Sequence, residues 1–171
     1  MVILFPSYIR RIALKNTFFS SKNPRLYHTT LVGPIKVKLV FSCNEIDSYL
    51  ITRLGRVDHQ GNYHLLSMGH FRPATRTIDS SHSTSCELAI NTSVITPLKH
   101  HEQVILEFSM TPAASFLKQG ERLLFEIASR TDQFHIGVKE GFIIPSMAVP
   151  PYFCRNKLHY GENTYIELSF K

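Results

Sequence analysis

Residues Asp47–Arg72 read DSYLITRLGRVDHQGNYHLLSMGHFR, and this stretch decides the fold. Tyr49, Ile51, Leu54 and Val57 are apolar or β-favouring and interleave with Thr52, Arg53 and Arg56. That mixture suits a strand with one buried face. Asp58-His59-Gln60-Gly61-Asn62 follows. Asp and Asn side chains bond nearby backbone and Gly accepts a positive φ, so these residues close a tight turn. The return strand runs from Tyr63 to Phe71, with Leu65, Leu66, Met68 and Phe71 as core candidates. Pro73 has no N–H to give a ladder and ends it.

The flanking chain repeats the pattern. Upstream, Gly33-Pro34 marks a turn, and Ile35, Val37, Leu39 and Phe41 alternate with Lys36 and Lys38 as a half-buried strand to Ser42. Downstream, residues 73–101 form the least regular region, with a polar loop over Asp79–Ser85 and short apolar pieces at Leu88, Ile90, Val94 and Ile95 that read as brief strands. Val104, Leu106 and Phe108 alternate with Ile105, Glu107 and Ser109, and Thr111-Pro112 marks the end of that strand. Gly120 opens another over Arg122–Ser129. Residues 130–163 are loop-rich, with Pro145, Pro150 and Pro151, and Thr164–Phe170 closes the chain as a strand. Many short strands with little helical periodicity predict an all-β fold. The expected architecture is a single-domain jelly-roll β-sandwich over residues 31–171, preceded by a basic segment over residues 1–30.

The chain has 171 residues, 43% hydrophobic and 19% charged, enough apolar material for one real core. No apolar run approaches the ~20 residues of a membrane helix. The net charge of +6 is unevenly placed. Residues 1–44 carry seven basic side chains and no acid, which leaves twelve basic against thirteen acidic in the remainder. A body this close to neutral does not form a phosphate groove, so nucleic acid is not expected as a partner. The basic, acid-free start resembles an organellar transit peptide, and equally the front of a truncated chain. An intracellular, cytoplasmic location is expected, with mitochondrial targeting as the alternative. Cys43, Cys86 and Cys154 are far apart and odd in number, so they read as buried reduced thiols rather than a disulfide framework or a zinc site.

Candidate chemistry is sparse. The G-x-S-x-G elbow is absent, and Ser67 sits inside a predicted strand. His100 and His101 are adjacent, so on a strand they point to opposite faces, a poor start for a metal site. Gly55, Gly61 and Gly69 are too widely spaced for a phosphate loop. Tyr49, Tyr63, Tyr152, Tyr160 and Tyr165 are candidates for a sugar-stacking face, though aromatics in sandwiches more often serve core or interface. No catalytic, cofactor-binding or metal-binding residue is assigned, and no cofactor is expected.

Taken in order, the residues resemble the C-terminal domain of X-Pro dipeptidyl-peptidases and of cocaine-esterase-type acyl hydrolases. The marks are Gly33-Pro34, Asp47, Leu54, Val57-Asp58, Gly61, Gly69, Arg72, and then Gly120 before Arg122 in FLKQGERLLFEIAS. They cover about residues 31–129 well and the remainder more loosely. The resemblance implies a jelly-roll of the galactose-binding-like type that packs on an α/β-hydrolase domain lying N-terminal to it. In that family the hydrolase domain holds the Ser, Asp and His. Too few residues precede Gly33 to encode such a domain, so the family's catalytic residues have no positions here. The expected function is therefore an accessory domain of a serine hydrolase acting on peptide or ester bonds, with the catalytic domain as partner in cis or in trans. Self-association through an exposed apolar patch is a further expectation. A stand-alone carbohydrate- or ligand-binding module and a hydrolase using residues of this chain are the alternatives.

Overall fold

The computed structural model describes residues 8–13, 18–20, 29–129 and 154–171. Two antiparallel sheets form a β-sandwich. The strands are β1 (Tyr8–Ala13), β2 (Phe18–Ser20), β3 (Thr29–Cys43), β4 (Leu50–Val57), β5 (Tyr63–Phe71), β6 (Val104–Leu117), β7 (Arg122–Ala128), β8 (Asn156–His159) and β9 (Tyr165–Phe170). One sheet runs β1-β9-β3-β6, with β8 beside β9 on the same edge of β3; the other runs β2-β7-β4-β5. Both β1 and β2 lie within the first thirty residues, pairing with β9 and β7.

The β4–β5 hairpin forms where the turn chemistry places it. Asp58 Oδ1 accepts from the amides of Gln60 and Asn62, both at 2.9 Å, and Gly61 takes φ 87°. The return strand carries a bulge, since Leu54 opposes Ser67 while Gly55 opposes Leu65. The extra residue, Leu66, shifts the alternation. Leu66 and Phe71 therefore reach the core, while Leu65 is 47% exposed and Met68 lies half-buried on the outer face.

Gly33-Pro34 does not turn the chain. It is a bulge inside β3, with Gly33 at φ 119°. Thr111-Pro112 does not end β6 either. Gly33 opposes Ala113 and Ile35 opposes Met110, so Pro34 faces Thr111 and Pro112 across a gap in the ladder. Because β6 is an edge strand and the two irregularities coincide, neither proline's missing N–H breaks a regular pairing.

Leu88, Ile90, Val94 and Ile95 form no strands of their own. Residues 72–103 are an irregular connection with a 3-10 turn at Pro73–Thr75 and one isolated bridge, Ile78 to Ile90. Pairing there is replaced by side-chain caps, as Ser83 Oγ donates to Asp79 O and accepts from Ala89 N. The short β8 has no counterpart in the expected strands, because four residues carry too little alternation to read.

The core lies between the sheets. Ile35, Val37, Leu39 and Phe41 of β3 meet Leu106 and Phe108 of β6, Leu123 and Phe125 of β7, and Ile166, Leu168 and Phe170 of β9. Phe71 stacks on Phe108 with centroids 4.5 Å apart, tying the two sheets. Each such side chain contributes about 1.5–3 kcal/mol on burial.

Candidate functional site

The C-terminal ends of β3, β5 and β7 and the N-terminal ends of β4, β6 and β8 meet at one end of the sandwich. Asp47 organises the loops there. It is 8% exposed. Its Oδ1 accepts from Ser48 N at 2.8 Å and Ala74 N at 3.2 Å, and its Oδ2 accepts from Arg72 Nε at 2.6 Å. Arg76 Nη1 donates to Pro73 O and to Thr96 O. Ser48 Oγ donates to Asn156 Oδ1 at 2.8 Å, joining this loop to β8. Ile46 O accepts from Leu98 N, and Ala74 O from Thr96 N. The loops these bonds tie together leave Ile46 49% and Ile95 58% exposed, with Val94 exposed as well.

A cleft of about 190 Å³ opens at this end of the sandwich, lined by Phe41, Leu50, Ile127, Leu158, Asn156 and Tyr160 among others. Its walls are mostly apolar and carry no charge. Ligand pockets span roughly 300–1,000 Å³, so this cleft suits one inserted side chain better than a substrate with its catalytic groups.

A second polar cluster lies on the outer face of the β2-β7-β4-β5 sheet. Arg53 is 3% exposed, and its Nη2 donates to Glu126 Oε1 at 2.7 Å. Its Nε and Nη1, and the Tyr63 hydroxyl, are buried with no acceptor. Burial, then the Glu126 charge, pushes the Tyr63 phenol up to about 12, against the opposing pull of Arg53. The sequence placed Arg53 among residues alternating with a buried face, and nothing in its spacing marks it as enclosed. The only signal is an arginine in a run of β-favouring side chains.

The serines and histidines do not assemble a hydrolytic centre among the described residues. Ser67 is 4% exposed and its hydroxyl donates to Thr111 O at 2.5 Å, a structural tie between β5 and β6. Ser42 Oγ and His159 Nε2 are 2.9 Å apart on neighbouring strands, a Ser–His pair the sequence did not reveal. Ser42 is 3% exposed, and no carboxylate among the described residues bonds His159. The pair has neither the orienting acid nor the exposed elbow that a nucleophile requires. Asp79, Ser81 and His82 also meet, but the serine hydroxyl donates to Asp79 Oδ1 and both residues converge on His82 Nδ1. A triad needs the serine and the acid on opposite ring nitrogens. This group is a loop cap that draws the Asp79 carboxyl down to about 2, through its bonds to Ser81 and then His82.

His100 and His101 are both exposed, and His101, at φ 60°, donates its amide to Cys43 O. No group of three or more His, Cys, Asp or Glu side chains among the described residues is placed to hold a metal. Gly55, Gly61 and Gly69 sit in or between strands and form no phosphate cradle. The tyrosines do not share a face. The Tyr49 hydroxyl lies 3.2 Å from His70 Nδ1 and Tyr63 covers Gly55, both beside β4, while Tyr160 and Tyr165 belong to the other sheet's strands and loop. Tyr152 lies outside the described residues. Cys86 is exposed, Cys154 half-buried and Cys43 buried, so the expectation of three buried thiols holds for Cys43 alone.

Comparison with known proteins fits this geometry. A family model described as the X-Pro dipeptidyl-peptidase C-terminal non-catalytic domain matches residues 21–140. A CocE/NonD family hydrolase from Staphylococcus aureus aligns with TM-score 0.62 at 18% identity, over 97% of this chain and 31% of its own. An aminopeptidase from the marine sediment archaeon Thaumarchaeota archaeon aligns with TM-score 0.63 at 14% identity, over 90% of this chain and 25% of its own. An alpha-amino acid ester hydrolase gives 0.62 at 19%, again over 90% and 25%. The chain thus spans a quarter to a third of the length of these structures. No match was found among curated proteins.

Proposed function

The chain belongs to the family of X-Pro dipeptidyl-peptidase C-terminal non-catalytic domains, and on that footing we propose that it serves as the accessory β-sandwich of a serine hydrolase, packed on an α/β-hydrolase catalytic domain and bordering its substrate entrance. The observation that carries this reading is the ratio of coverage. Nearly the whole chain aligns with hydrolases of which it spans less than a third. The partner's chemistry would be hydrolysis of a peptide bond, as in X-Pro dipeptidyl-peptidases, or of an ester.

The winding is of the jelly-roll, galactose-binding-like type in this reading. Consecutive strands change sheet everywhere except at β4–β5 and β8–β9, which supports it. The docking surface in this reading is the loop end, where Ile46, Val94 and Ile95 expose apolar side chains. An apolar patch of this kind is a usual mark of an interface.

An immunoblot of source extract, with sequencing of the recognised species, tests the reading. It predicts an α/β-hydrolase sequence, either in one polypeptide several times larger than this chain or in a stable complex with it. A free monomer of about 171 residues with no hydrolase attached would overturn it.

A further inference from the structure

We propose that Cys43 and Cys154 form an oxidisable dithiol that closes to a disulfide between the end of β3 and the chain entering β8. Cys43 is the last residue of β3 and pairs in register with Asn156. Cys154 lies two residues before that partner. Cys154 packs against the buried cluster that contains Cys43, near enough to influence its thiol. Further contacts hold both sulfurs in place. Glu45 N donates to Cys43 Sγ at 3.4 Å, and Ser48 Oγ lies 3.6 Å from Cys154 Sγ while holding Asn156.

Exposure divides the labour between the two thiols. Cys43 is 1% exposed, whereas Cys154 is open enough to meet a small oxidant. Burial, together with the neighbouring Cys154, holds the Cys43 thiol above its usual range, although amide bonds from Glu45 and Asn44 oppose this. Cys43 therefore does not react first with a solvent oxidant. With hydrogen peroxide, Cys154 sulfur attacks one peroxide oxygen, the O–O bond breaks, and one water leaves with a sulfenic acid formed on Cys154. Cys43 sulfur then displaces the sulfenic oxygen as a second water. Two thiols and one peroxide give one disulfide and two waters.

The product would staple β8, held to β3 through Val40–Cys43, to the core strand of its sheet. Cys86, exposed on the irregular connection, is the internal comparison.

The test uses the full chain, reduced and then treated with hydrogen peroxide. Free thiols are alkylated under denaturing conditions and peptides mapped by mass spectrometry. The expected result is a Cys43–Cys154 linked peptide two hydrogens lighter than its parts, reversed by dithiothreitol. It persists in Cys86→Ser and is lost in Cys154→Ser, a half-exposed position where serine is tolerated. The oxidised protein should also unfold at a higher urea midpoint than the reduced one. Full alkylation of Cys43 after Cys154 has gone to sulfinic acid would overturn the proposal. A disulfide that instead engages Cys86 would do the same.

Discussion

Asp47 and Arg72, which open and close the stretch that folds into the β4–β5 hairpin, meet each other at 2.6 Å and seal its base. The same carboxylate accepts the amides of Ser48 and Ala74, so one buried charge fixes two loops and the 3-10 turn. Asp47→Ala should destabilise the domain by about 2–4 kcal/mol, since two amides and a guanidinium lose their acceptor. Arg72→Ala should cost less, about 1 kcal/mol, because that side chain is 51% exposed. Urea unfolding of the two variants checks the order, and equal losses would contradict it.

Gly55 has no room for a side chain. A Cβ there would overlap the Tyr63 ring, which lies across it. Gly55→Ala should cost about 1–3 kcal/mol through the forced shift of that ring. In a Tyr63→Ala background most of this penalty should vanish, and a double-mutant cycle reads the coupling directly. Additive losses would place the strain elsewhere.

Arg53 leaves two guanidinium nitrogens without an acceptor to stay buried beside Glu126. Removing only the acid is therefore expected to be severe, with Glu126→Ala costing about 3–5 kcal/mol. Replacing both, as Arg53→Met with Glu126→Leu, should cost far less than either single change. A double variant no more stable than Glu126→Ala would show that packing, not the stranded charge, decides the cost.

Acid should loosen the hairpin turn. The bond from His64, opposed by desolvation and helped by bonds from Asn62 and Gln60, holds the Asp58 carboxyl well below the usual carboxylate range. A depressed folded pKa stabilises fully above the unfolded value of about 3.9, and that contribution fades as pH falls toward the folded one. The wild type should thus lose urea resistance between about pH 4 and pH 2. Asp58→Asn should lose less over the same interval, since it has no proton to take up. Parallel losses in both would contradict this assignment.

The hairpin was legible because its determinants are local. Asp58, Gly61 and Asn62 write the turn, and Pro73 writes the end. The strand ends at Gly33-Pro34 and Thr111-Pro112 misled for the opposite reason. Each looks like a terminator alone, and only their mutual pairing across β3 and β6 turns them into a shared bulge. Leu66 shows the same limit, since one extra residue moved Leu65 out and itself in. The polar contacts are non-local altogether. Asp47 to Ala74, Arg53 to Glu126 and Ser42 to His159 join residues that neither spacing nor periodicity connects. The approach of Cys154 to the cluster that holds Cys43 depends on β8, a strand too short to read. The family resemblance, by contrast, survived because it rested on an ordered set of marks that spans both kinds of region.

The proposed role sets this sandwich against a separate catalytic domain, because the described residues form no hydrolytic centre. The most direct test is to assay the purified chain on a Gly-Pro chromogenic amide and a short-chain ester, with parallel labelling by a serine-directed phosphonate. The purified chain should show no turnover above buffer and no labelled residue. Turnover abolished by the phosphonate, with the label on a serine of this chain such as Ser42, would contradict it.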